Sequence, residues 1–152
     1  MPSATKVEDL KAAIPTDQRP IPIRFKSVDV GNKYFMSVYV AVHHDEELVA
    51  LRDHLKRTPG EKTVPPLAHM SLFYIDDSDR EERQKMADLL VTERRVIIQD
   101  AHSIKLDLSQ TGEEGTDVYS GFKGAEIWIV SCDGPVPTWE VQDRLPIHLF
   151  EA

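Results

Sequence analysis

Ala68-His69-Met70-Ser71-Leu72-Phe73-Tyr74 is the stretch on which the reading of this sequence turns. It follows Pro65-Pro66 and is rich in apolar and aromatic residues, which predicts a strand over residues 68–75. On a strand, residues i and i+2 face the same way, so His69 and Ser71 share one face. An imidazole beside a hydroxyl can donate two hydrogen bonds to the oxygens of one phosphate, and a histidine also moves protons near neutral pH. Taken alone, the pair also fits a half-buried structural histidine.

Upstream, Thr5 with Glu8 has capping-box spacing and Pro15 stops the segment, predicting a helix over 5–14. Ile21, Ile23 and Phe25 alternate with polar residues, and after Ser27 the phase shifts to Val28 and Val30, as in a bulged strand. Gly31-Asn32 reads as a turn into a second strand over 34–42, an antiparallel hairpin. Asp45 then caps a helix whose buried stripe is Leu48, Leu51 and Leu55 and which ends at Pro59-Gly60. Downstream, Ser78 with Glu81 opens a helix to about Leu90, and Ile104, Leu106 and Leu108 alternate as a half-buried strand. Residues 109–124 read as a loop. A strand over 126–131, a Gly134-Pro135 turn and a last helix over 137–145 complete the chain. Hairpins and helices in irregular succession predict an α+β fold with a mainly antiparallel sheet, in one domain over 1–152.

The composition, 41% hydrophobic and 29% charged, is that of a folded globular chain and excludes disorder and fibrous architectures. A formal net charge of -8 repels polyanions at long range, which argues against extended nucleic-acid binding but leaves room for one small phosphorylated ligand. Residues 1–14 lack a signal-peptide core and no run reaches membrane-spanning length, so the expectation is a cytoplasmic protein without membrane insertion. Cys132, the single cysteine, follows the apolar run Ile127-Trp128-Ile129-Val130 and is read as a buried thiol in a reducing compartment. Trp128, mid-strand, is assigned to the core.

Other clusters give weaker signals. His43-His44-Asp45-Glu46-Glu47 is better explained by a helix start than by a metal site, because consecutive residues there do not converge on one point. Gly112, Gly115, Gly121 and Gly124 lack the Gly-Lys-Ser/Thr of a phosphate loop. Tyr119 and Phe122, within that loop, are read as packing. The arginines of 80–83 and Arg94-Arg95 read as solvated charge. No metal and no cofactor is called for.

Three stretches, in order, resemble the cyclic phosphodiesterases of the 2H phosphoesterase superfamily: Ile23-Arg24-Phe25-Lys26-Ser27-Val28 with the hairpin after it, Pro66 to Tyr74, and Gly124-Ala125-Glu126-Ile127-Trp128-Ile129-Val130 with Asp133-Gly134-Pro135-Val136-Pro137-Thr138-Trp139. The resemblance implies a 2H phosphoesterase-like antiparallel sheet with flanking helices, in two lobes that each carry one H-x-S/T strand to a cleft. It implies hydrolysis of 2′,3′-cyclic nucleotides, or of the ADP-ribose 1″,2″-cyclic phosphate left by tRNA splicing, to monophosphates. His69 is then one of the catalytic acid-base pair, Ser71 a substrate-binding phosphate donor, and Tyr74 a third residue that touches the phosphate. Strand parity sets Tyr74 on the face opposite His69, so that role requires the strand to twist or end early.

The family's first H-x-S/T motif lies N-terminal to the Arg-Phe-Lys-Ser stretch, yet residues 1–22 hold no histidine and no other histidine has a hydroxyl residue at i+2. The fold is therefore expected to be incomplete at the N-terminus, and this chain alone weakly active or inactive, because ring opening needs both a base and an acid. Three functions fit: a cyclic phosphodiesterase, a non-catalytic protein binding a phosphorylated nucleotide or RNA end, and an α+β scaffold with neither role. Oligomeric state is left open.

Overall fold

A computed structural model describes residues 4–15, 17–57, 67–132 and 134–147, with side chains from residue 7 onward. The Pro59-Gly60 stop, Pro65-Pro66, His148 and the Thr5 cap side chain lie outside the described residues. The chain gathers into two compact units.

One unit, Ile23–His44 with Leu67–Phe122, holds the candidate site. Its centre is the hairpin of β1 (Ile21–Lys33) and β2 (Met36–Val42), extended by β3 (His69–Phe73) on the β2 side and, on the β1 side, by β7 (Gly121–Gly124). All the β1–β2 and β2–β3 pairing is antiparallel. The β1 register slips between Phe25, opposite Val42, and Ser27, opposite Ala41, a bulge at the phase shift in the sequence. β2 is buried along almost its whole length, as a central strand covered on both faces must be. The helix α3 (Arg80–Thr92) packs against β2 and β4 (Val96–Asp100), and β4 pairs with β5 (Ser103–Asp107), which in turn pairs with β6 (Val118–Tyr119). Val38, Val40, Ala87, Val96, Ile104 and Leu106 are core residues of this unit.

The other unit comprises Met1–Pro22, Asp45–Pro66 and Lys123–Ala152. In it α1 (Ala4–Ala13) is tied to α2 (Glu46–Arg57) by His54 Nε2 donating to the Ala13 carbonyl at 2.7 Å, and to β9 (Glu140–Pro146) by a 2.9 Å ion pair from Lys11 to Asp143. β9 is antiparallel to β8 (Glu126–Ser131). Asp45 stands where the sequence placed the start of α2, its carbonyl accepting the Val49 N–H at 3.0 Å. Leu48, Leu51 and Leu55 are half-buried.

The α+β class and the antiparallel pairing agree with the sequence, and several local expectations do not. Residues 137–145 are not a helix: Pro137 sits in a 3-10 turn, Val136–Thr138, closed by Trp139 N–H on the Val136 carbonyl at 3.0 Å, and the chain then extends as β9 because β8 offers it a free edge. Gly31 is not in the hairpin turn, which falls at Tyr34-Phe35; it lies in β1 where a Cβ would come 1.8 Å from the Met36 carbonyl oxygen, so only glycine allows that approach. Asp76 caps a 3-10 turn, Asp77–Asp79, its carboxylate accepting the Ser78 N–H, and Asp79 at the end of that turn stands before α3 in place of a Ser78–Glu81 box. The 109–124 loop contains β6 and β7, and β4 carries the β-branched run Val96-Ile97-Ile98 that the sequence reading passed over. Trp128 is 50% exposed, with the Arg144 guanidinium 4.5 Å above its ring and Nε1 donating to Glu126 at 2.7 Å; a two-stranded ribbon leaves one face to solvent. Cys132 lies beyond the end of β8 and is exposed. Arg83 is buried, not solvated.

Candidate functional site

Strand pairing sorts the hairpin and β3 into two faces. Val28, Val38, Val40 and Met70 alternate onto one, whereas Ser27, Asp29, Tyr39, Ala41, His69 and Ser71 share the other. Val38 and Val40 on the first face are buried, and the second face brings Ser27, Asp29, Tyr39, His69 and Ser71 together from three strands. His69 opens β3 opposite Ala41, and Ser71 stands opposite Tyr39; both are half-buried. The i, i+2 expectation for His69 and Ser71 is thus met by the register itself.

The His69 ring is held in two ways. Its Nδ1 lies 2.7 Å from the Leu67 carbonyl oxygen, which can only accept, so Nδ1 carries the proton and Nε2 is left as the atom that can take or give one. Its other constraint is the Tyr39 ring, 5.4 Å away between centroids and inclined at 69°. Tyr39 is 8% exposed; burial, and then the charge of Asp29, push its phenol above the usual tyrosine range. Asp29 faces Tyr39 across the ladder and accepts the Ser27 hydroxyl at 3.0 Å.

β3 ends at Phe73, so Tyr74 is already past the strand. Its ring rests 5.6 Å from Tyr34, and the residue after it is clamped. The Ile75 N–H donates to Ser37 Oγ at 3.0 Å, and the Ile75 carbonyl accepts Arg83 Nη2 at 2.9 Å. Arg83 also donates to the Gly31 carbonyl at 3.2 Å and pairs with Asp77 at 2.7 Å, so one buried guanidinium ties the hairpin, the exit of β3 and α3 together. Sequence reasoning missed Tyr39, Asp29, Ser37 and Arg83. Tyr39 sits in an apolar run whose face is known only once the pairing with β3 is known, and an arginine among charges on a helix reads as solvated.

His43, whose N–H donates to the Arg24 carbonyl at 2.9 Å, leads out of β2. Among the described residues no group of three or more His, Cys, Asp or Glu is gathered as a metal site, and no helix is long and apolar enough to cross a membrane.

An α+β architecture of antiparallel sheets with flanking helices, carrying a histidine and a serine on one strand face, is consistent with a 2H phosphoesterase-like fold. The family model described as cyclic phosphodiesterase-like protein matches residues 6–146, and the chain belongs to that family. Among curated proteins none matches it.

Proposed function

We propose that this protein hydrolyses cyclic phosphodiesters, the substrates being 2′,3′-cyclic nucleotides or ADP-ribose 1″,2″-cyclic phosphate and the products monophosphates. Family membership supports the reaction class. The observation that supports the residue assignment is the 2.7 Å bond from His69 Nδ1 to the Leu67 carbonyl, which leaves Nε2 as the nitrogen that can take or give a proton, on the strand face that His69 shares with Ser71. In this reading water adds to phosphorus, the bond from phosphorus to one ribose oxygen breaks, a base takes the water proton and an acid protonates the departing oxygen. His69 takes one of these two roles. Ser71 donates a hydrogen bond to a phosphate oxygen, and Tyr74, released from strand parity by the early end of β3, contributes a third contact.

The test is ³¹P NMR of both cyclic phosphates with the purified protein. His69→Ala is expected to fold and to lower turnover by about 10²–10⁴-fold, the usual contribution of a positioned acid or base. A folded His69→Ala protein with undiminished rate sinks the assignment. A second reading, binding of a phosphorylated nucleotide without turnover, is favoured by the single H-x-S/T motif in these 152 residues. It predicts no ring opening but a 2′-monophosphate complex that His69→Ala and Ser71→Ala each weaken.

A further inference from the structure

We propose that Tyr39 is a positioning residue for His69, its ring fixing the imidazole so that Nε2 faces the reacting phosphate. The inference rests on the reading of His69 as a proton carrier. Three observations lead to it. Tyr39 lies in the middle of the central strand, opposite Ser71 on β3 and Asp29 on β1, so its backbone is held by ladders on both sides. Its side chain is buried, 8% exposed, and so has little rotamer freedom. The ring meets the imidazole edge-to-face at 5.4 Å, against the one part of His69 that the Leu67 bond leaves free to swing.

The Leu67 hydrogen bond fixes which nitrogen is protonated, but a single bond to a carbonyl at the start of a strand permits the ring to tilt about it. A wall on the neighbouring strand removes that tilt. Rotation of the imidazole by half a turn would exchange Nδ1 for a carbon and lose the bond to Leu67. Tyr39 is not itself the second proton carrier: burial and Asp29 both favour the neutral phenol, so it stays protonated over the range in which an imidazole works. The contact uses the ring and not the hydroxyl, which sets the choice of variants.

The experiment is long-range ¹H–¹⁵N NMR of the histidine side chains on the intact 152-residue protein. In the wild type His69 is expected as the single Nδ1–H tautomer with its ring protons shifted by the Tyr39 ring current. Tyr39→Phe should keep both signatures. Tyr39→Leu should lose the ring-current shift and show mixed tautomers, and should lower kcat by about 10- to 100-fold with KM little changed, as misplacement of a reacting group does. A loss of stability alone would leave the tautomer of the folded fraction unchanged. If Tyr39→Leu fails to fold, the wild-type spectrum still decides, since an Nε2–H tautomer or ring protons without that shift overturns the proposal. A folded Tyr39→Leu protein with wild-type tautomer and kcat, or Tyr39→Phe behaving as Tyr39→Leu, overturns it too. His69→Ala run alongside separates the cases: if that variant keeps its rate, it is the role of His69 that fails, and if it loses its rate while Tyr39→Leu does not, only the positioning role of Tyr39 fails.

Discussion

Replacing Arg83 by methionine tests whether the buried guanidinium holds the end of β3 in place. The side chain is 1% exposed and makes bonds to the Gly31 carbonyl at 3.2 Å, the Ile75 carbonyl at 2.9 Å and the Asp77 carboxylate at 2.7 Å. Three bonds from a charged donor at about 1.5–3 kcal/mol each would set a loss well above 4 kcal/mol. Three features reduce it. Asp77 is 64% exposed and regains water, the Ile75 carbonyl keeps the Ser37 hydroxyl within reach at 3.1 Å, and Arg83 Nε is buried without a partner in the native protein, a penalty that the substitution removes. The remainder is mainly the stranded Gly31 carbonyl and the looser β3 exit, a net loss of about 2 kcal/mol, with the methionine stem filling most of the volume. For a chain of this size that lowers Tm by about 4–8 °C. Urea unfolding of Arg83→Met beside Ser37→Ala and the double variant measures it. The two are expected to be non-additive, because both act on Ile75. Arg83→Met within about 0.5 kcal/mol of wild type, the range of an ordinary surface substitution, refutes the clamp.

Gly31→Ala is expected to cost about 1–3 kcal/mol or more, since its Cβ would meet the Met36 carbonyl oxygen at 1.8 Å; an unchanged urea midpoint contradicts the close approach. Asp107 is held below the usual carboxylate range by the Ser109 side chain first, then by the N–H groups of Ser109 and Gly115, and by Arg95. Its stabilisation is therefore present above the unfolded value of about 4 and lost as the pH falls through the lower folded value. Asp107→Asn should be least stable relative to wild type near neutrality, with the gap narrowing in acid; an equal gap in urea midpoints at both pH values contradicts this.

Much of the local structure was legible where a residue's own neighbours in sequence decide it. The change of phase at Ser27 marked the β1 bulge, Asp45 the start of α2, and the apolar and aromatic run at 68–75 the strand on which His69 and Ser71 share a face. Family resemblance also came from such contiguous stretches, and the family match spans them. Where the sequence misled, a partner strand or a buried neighbour made the decision. Pro137 opens a helix or a 3-10 turn equally well, and the ladder from β8 drew Glu140–Pro146 out into β9. Trp128 has the composition of a core residue, yet a ribbon of two strands leaves one side open.

The candidate site divides in the same way. That His69 and Ser71 stand together follows from the two-residue period of a strand, which any chain obeys. The tautomer of His69 comes from the Leu67 carbonyl at Nδ1, and the ring beside the imidazole comes from a register that puts Tyr39 opposite Ser71. Arg83 shows the same limit: its helix opens on the consecutive charges Arg80-Glu81-Glu82-Arg83, and only tertiary packing buries one of them beneath the hairpin and gives it carbonyls to hold. Periodicity assigns a residue to a face; pairing between distant strands decides what it meets there.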